Sequence, residues 1–142
     1  MPSTMLTKTG LQLRDPDRCV VLVSGSNDYN NPRKVFETLD NIHSKHHITA
    51  MVYDIHDNSE DPAKQWAANK GITVNPYLDM WQDSEHQEVR NQLMLDAELP
   101  DLVVVFVFRC APTANSDANA FKVYRDMAQR ALDDNYVVNT IL

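Results

Sequence analysis

Apolar positions along this chain alternate between short continuous runs and stretches with helical spacing. "CVVLVSG", residues 19–25, is apolar almost throughout and ends in a small-residue turn, the pattern of a strand buried on both faces. Asn31 and Pro32 then read as an N-cap and first helical position, and Val35, Leu39 and Ile42 recur at helical spacing. "ITAMVY", residues 48–53, predicts a second strand. "DIHDNSED" leads to Pro62 and a helix with Ala63, Trp66 and Ala67 on one face, which Gly71 closes as a C-cap. "ITVNPY" predicts a short third strand. Ser84 and Gln87 form a capping box for a helix through about Ala97, with Val89 and Leu93 turned inward. "DLVVVFVF" is the longest apolar run and predicts a fourth strand. Phe121, Tyr124, Ala128 and Ala131 mark a last helix, and "YVVNTIL" closes the chain as a fifth strand.

Strands that alternate with helices through short connections imply a parallel sheet covered on both sides. The expected fold is therefore α/β: a Rossmann-like, doubly wound parallel sheet of about five strands with helices on both faces. Residues 1–18 are an N-terminal arm or an extra edge strand, and residues 19–142 form a single domain. A length of 142 residues suits one such core.

Composition narrows the function classes. The 43% hydrophobic content is globular, and no apolar run approaches the roughly 20 residues of a membrane span. The first residues lack the apolar core of a secretory signal, so a cytoplasmic protein is expected. Cys19 and Cys110 fit that compartment as free thiols, since the fold puts them at opposite ends of parallel strands. A net charge of −7, with no basic stripe, argues against a nucleic-acid partner.

In doubly wound sheets, ligands bind beyond the carboxyl ends of the strands where the strand order reverses. That places the loops after Gly25, Tyr53, Tyr77 and Phe108 on one rim. Glycine serves there because a backbone N–H approaches phosphate closely only where no Cβ intervenes. The chain has only 3 glycines, Gly10, Gly25 and Gly71, where average usage of roughly 7% would give about 10. Only Gly25 falls on the rim.

"LVSGSNDY", "VYDIHDNSEDPAKQWAANKGITVNPYLDMW", "VRNQLML" and "PDLVVVF" together resemble the YspA-type, YpsA-related (YAcAr) branch of the SLOG superfamily, a Rossmann-like group that binds nucleotide ligands. The resemblance covers roughly residues 19–140. In that family the first turn is Gly-Ser-Arg; Gly25 and Ser26 match, and Asn27 replaces the arginine. The glycines of the second loop are replaced by the run Asp54 to Glu60, whereas Trp66 and Ala67 are kept. Arg90, Asn91 and Met94 retain an Arg-Asn pair before a methionine. Of the glycine-rich loop after the fourth strand only Phe106 survives. Relatives that cleave the N-glycosidic bond of nucleoside monophosphates use an arginine and a glutamate; the glutamate has no clear counterpart here, and Asp117 is the nearest acid. The resemblance therefore implies a degenerate nucleotide-binding scaffold with no assigned catalytic residue and no cofactor, and a homodimer or higher homo-oligomer built through the flanking helices.

The expected function is that of a non-enzymatic binding or interaction protein, of the kind a phage or mobile element would direct at a host protein. A retained binder of a nucleotide or ADP-ribose-like molecule is the alternative, and a nucleotide N-glycosidase ranks third. The ligand-binding candidates are Gly25, Ser26, Asn27, Trp81, Arg90, Asn91 and Arg109. Arg90 is suited to an anion because guanidinium forms paired hydrogen bonds with phosphate; its bland alternative is a structural salt bridge. Asn91 often bonds local backbone at such a position, Gly25 to Asn27 suit any strand-to-helix turn, and an aromatic such as Trp81 is more often core. His43 and His47, four apart, have no further ligand at helpful spacing, and no metal site is assigned. His56 is a possible acid or base without a partner nucleophile. Cys110 beside Arg109 is read as an ordinary thiol.

Overall fold

Each apolar run forms a strand and each helically spaced stretch a helix in the computed structural model, which describes residues 18–25, 31–55, 61–78, 84–106 and 118–141. The order is β1 (Val20–Ser24), α1 (Pro32–His46), β2 (Ala50–Ile55), α2 (Pro62–Lys70), β3 (Thr73–Leu78), α3 (Ser84–Glu98), β4 (Leu102–Phe106), α4 (Ala118–Asp133) and β5 (Val138–Ile141). The strands pair in the order β3-β2-β1-β4-β5, every pair parallel. The chain builds outward from β1 to β3, returns, and builds outward again from β4, so strand order reverses between β1 and β4. That is the Rossmann-like, doubly wound sheet implied by the sequence.

Side-chain alternation along the central strands supplies two cores. Val21 and Val23 of β1, with Leu102, Val104 and Phe106 of β4, pack with Val35, Leu39 and Ile42 of α1 and Ala63, Trp66 and Ala67 of α2. Val20 and Leu22, with Val103 and Val105, pack on the other face with Met94 and Leu95 of α3 and Met127, Ala128 and Ala131 of α4. Because β1 and β4 are buried along their whole length, they read as continuous apolar runs rather than alternating ones.

Local signals set the helix ends. Asn31 caps α1 by accepting from the Lys34 amide at 3.1 Å, and Asp61 caps α2 by accepting from the Ala63 amide at 3.0 Å; each is followed by proline at the first helical position. Gly71 ends α2 with φ of +67°, in the left-handed region where glycine carries no Cβ penalty.

Two expectations need correction. Val89 and Leu93 do not turn inward: each is 51% exposed, and α3 buries Arg90, Asn91, Met94 and Leu95. The helix carries apolar residues on more than one side, so its own pattern leaves its rotation open. The strand ends also shift. β2 continues through Asp54 and Ile55 and β3 through Leu78, because the backbone ladder runs on to Asp54↔Tyr77 and Ile55↔Leu78. The periodicity of apolar side chains does not report where backbone pairing stops. β3 is an edge strand and so tolerates Pro76, which lacks an amide to donate. Residues 1–17 of the expected arm, the Ser84 and Gln87 side chains of the expected capping box, and Phe121 and Tyr124 as core side chains lie outside what is described.

At the amino edge of the sheet the strands are tied together by side chains. Asp101, just before β4, accepts from the Val20 amide at 2.9 Å and from Arg18 Nη1 at 3.2 Å. Arg18 Nη2 also donates to the carbonyls of Glu98 and Leu99, closing the end of α3. The hydroxyl of Thr49 accepts from the Cys19 amide at 3.0 Å. Cys19 is a buried free thiol, and burial first, then the Asp101 carboxylate, pushes its pKa up to about 11. Among the described residues, no helix is long and apolar enough to cross a membrane.

Candidate functional site at the carboxyl edge

The carboxyl edge differs from the interior below it. On the face covered by α3 and α4, Leu22, Val103 and Val138 form one buried row across β1, β4 and β5, and all three are apolar. The next row toward the carboxyl edge is Ser24, Val105 and Thr140, in register across the same strands. Ser24 is fully buried and Thr140 is 5% exposed. Two hydroxyls thus replace aliphatic groups in this row, Ser24 on β1 beside the point where strand order reverses and Thr140 on β5, with Val105 of β4 between them.

The helix above makes the same change. Met94 lies in the apolar core, and Arg90, one turn closer to the carboxyl edge on the same stripe, is only 3% exposed. A helical turn advances about 6 Å over four residues, close to the roughly 6.6 Å between Leu22 and Ser24 along a strand. The polar step along α3 is therefore close in length to the polar step along β1. Nε and Nη1 of Arg90 and Oδ1 of Asn91 are shielded from solvent. Ser24, Arg90, Asn91 and Thr140 each have interaction partners, as expected for buried polar groups.

Asn91 is fully buried, and its amide donates to Asp126 Oδ2 of α4 at 3.1 Å. The same oxygen accepts from Arg130 Nε at 2.7 Å. Arg130 reaches Gln92 at 3.3 Å, and Gln92 donates to Asp134 at 2.9 Å. These bonds join α3 to α4.

The sequence candidates divide as follows. Gly25 ends β1 at this edge, buried, with φ of +86°, so a glycine suits the turn on conformational grounds alone. Arg90 and Asn91 sit on the edge-facing half of α3, and Arg90 lies on the inner stripe. Ser26, Asn27, Trp81 and Arg109 lie outside the described residues, as do His56, Cys110 and Asp117. Sequence reasoning missed Ser24 and Thr140. Both were visible as polar residues continuing an apolar alternation, after Val20 and Leu22 and after Val138, but on a buried strand such a residue is easily taken for the start of a loop.

Two other conspicuous residues are accounted for by packing. Trp66 is 3% exposed, donates Nε1–H to Asp40 at 2.8 Å and meets the edge of the His43 ring. His43 accepts the Ile48 amide on Nδ1 at 2.9 Å and stacks with His47, which caps α1 in the left-handed region rather than continuing the helix. Burial, then His47 and Lys70, lower the His43 pKa. Among the described residues, no group of three or more His, Cys, Asp or Glu could hold a metal ion.

The fold and this edge define a Rossmann-like protein with a polar carboxyl edge where the strand order reverses. Residues 19–83 match the model of the YAcAr family, described as the YspA, cpYpsA-related SLOG family, and that match supports assigning the chain to this family from β1 through β3. Membership of that family suggests a nucleotide-binding-like scaffold. Arg90, Asn91 and Thr140 lie beyond the matched residues, so their place in the site rests on the fold. No curated protein matches the chain.

Proposed function

We propose that the chain is a non-enzymatic binding protein that takes a small anionic, nucleotide-derived molecule at the carboxyl edge. The observation that carries this reading is the buried Arg90, on the half of α3 nearer the carboxyl edge, the same edge at which the buried Ser24 and Thr140 end their strands' rows. A guanidinium in a partly desolvated setting is a strong partner for phosphate, and flanking hydroxyls suit a ribose or phosphate oxygen. The glycine-poor loops speak against the backbone cradle of a typical phosphate site, so the contact would be made by side chains. Ser26, Asn27, Trp81 and Arg109 are proposed as further contacts by their expected place on the rim.

Thermal-shift and titration experiments with AMP and ADP-ribose test this directly. A ligand at 100 times its Kd stabilises a protein by about 2.7 kcal/mol, enough to raise Tm by several degrees. Arg90→Gln must abolish that shift while leaving a folded protein. Absence of binding by the wild-type chain to either compound sinks the proposal.

A second reading is favoured by α3, whose outer side exposes Val89 and Leu93, each 51% accessible. In that reading the protein presents its surface to a host or other partner protein, or to a second copy of itself. Native mass spectrometry of the purified chain separates the cases: a defined oligomer lost on Val89→Lys with Leu93→Lys supports self-assembly, and a strict monomer removes it.

A further inference from the structure

We infer that His43 is a pH-sensitive latch on the turn between α1 and β2: its neutral ring holds the Ile48 amide, and protonation of that ring releases the turn. The latch lies at the amino edge of the sheet and stands whether or not a ligand binds at the carboxyl edge.

The chain leaves α1 and enters β2 within three residues, His47 to Thr49. His47 makes the turn at φ of +52°, in the left-handed region that a residue with a Cβ enters only at a cost. Its amide donates to the His43 carbonyl at 2.9 Å, and its ring stacks on the His43 ring with centroids 4.9 Å apart. The next amide, that of Ile48, donates to His43 Nδ1 at 2.9 Å. The His43 ring thus supplies both side-chain contacts that hold the turn in this strained form. Beyond it the Ile48 side chain is buried, and Thr49 bonds to Cys19 at the head of β1 through its amide and its hydroxyl.

A hydrogen bond accepted on Nδ1 uses that nitrogen's lone pair, so the neutral ring carries its hydrogen on Nε2. The next proton to bind takes the same lone pair. Protonation and the Ile48 bond therefore exclude each other, and the imidazolium would set one N–H against another. The surroundings give that cation little support. Lys70 of α2 and His47 oppose its charge, and Trp66 of α2 stands edge-on to its ring at 5.6 Å. Asp40, one turn earlier on α1, favours the charge, but its Oδ1 already accepts from Trp66 Nε1 at 2.8 Å and pairs with Lys70 at 3.6 Å. Burial, then His47 and Lys70, keep the His43 pKa below its ordinary value, so the latch is closed at neutral pH and opens in mild acid.

Nuclear magnetic resonance on the isotopically labelled chain tests both halves of the proposal. At neutral pH, long-range proton–nitrogen correlations should show His43 protonated on Nε2 alone. As pH falls through the titration of the His43 ring, protection of the Ile48 amide from hydrogen exchange should drop roughly tenfold, while that of Val23 in the buried centre of β1 holds. His43→Asn places a carbonyl oxygen where Nδ1 stands and does not titrate, so Ile48 should stay protected over the same pH range. His43→Ala has no acceptor there, and Ile48 should exchange fast throughout. A hydrogen on Nδ1 in the neutral wild-type ring, Ile48 protection that does not follow the ring's titration, or a folded His43→Asn as pH-sensitive as the wild type overturns the proposal. Simultaneous loss of protection at Ile48 and Val23 overturns it too, because that reports unfolding of the whole sheet and not release of one turn.

Discussion

Removing the Asp101 carboxylate should destabilise the fold far more than removing the arginine paired with it. Asp101 is 8% exposed and serves two donors with one oxygen: the Val20 amide at 2.9 Å and Arg18 Nη1 at 3.2 Å. In Asp101→Ala the Val20 amide, at the head of a fully buried strand, loses its acceptor, at a cost of about 1–3 kcal/mol. The ion pair adds little, because the Arg18 side chain is 36% exposed and exposed pairs contribute about 0–1 kcal/mol. The expected loss is about 2–3 kcal/mol, or roughly 6–9 °C in Tm for a chain of this size. Arg18→Ala leaves the Val20 bond in place and frees the Glu98 and Leu99 carbonyls to water, so its effect should stay near 1 kcal/mol. Asp101→Asn keeps an acceptor and should fall between the two. Urea unfolding of the three variants, analysed by linear extrapolation, measures these differences. Equal losses for Arg18→Ala and Asp101→Ala, or a loss below about 1 kcal/mol for Asp101→Ala, would refute the reasoning, because the stranded Val20 amide would then not account for most of the cost.

Three further outcomes are expected. His43 has a folded-state pKa below its ordinary value, so the folded protein binds fewer protons than the unfolded chain between that lowered value and about 6.5. Its contribution is fully present above that window and declines as pH falls through it; urea unfolding at pH 7.5 and pH 5 should show a decline that His43→Gln reduces, and an unchanged decline would contradict the assignment. Gly71→Ala should lose about 1 kcal/mol through backbone strain alone, since no atom lies within 4 Å of the added Cβ; a neutral result by thermal melting would mean the left-handed cap is not maintained. Cys19, with its thiol raised to about 11 and buried, should resist iodoacetamide at pH 8 until the chain unfolds, and peptide mass spectrometry that finds it labelled in the native protein would show that the amino edge opens.

The sheet was legible in the sequence because burial on both faces makes β1 and β4 short continuous apolar runs, set off by turn residues and alternating with helically spaced stretches. The starts of α1 and α2 were equally plain, since Asn31-Pro32 and Asp61-Pro62 act through bonds within a few residues. α3 was misread in rotation because apolar residues lie on more than one of its sides, and it packs against α4, whose Asp126 is 35 residues from Asn91 in sequence. The ends of β2 and β3 were misplaced because a backbone ladder has no side-chain signature. Arg90 and Asn91 were found as residue types suited to an anion, whereas Ser24 and Thr140 emerged only when register put them in one row. Side-chain burial can be inferred one strand at a time; a row across three strands cannot.

The placement of the amino-edge bonds bears on how such a chain changes over generations. Arg18, Asp101 and Thr49 fasten the strands at one end, and the described strands then run about five residues, or roughly 17 Å, before the opposite rim. Replacing residues at that rim leaves every one of these fastenings untouched. Loops there can gain bulk, lose glycine or accept insertions with little penalty to folding, so recognition can drift while architecture persists. A scaffold arranged this way separates the part that selection must preserve from the part it is free to rewrite.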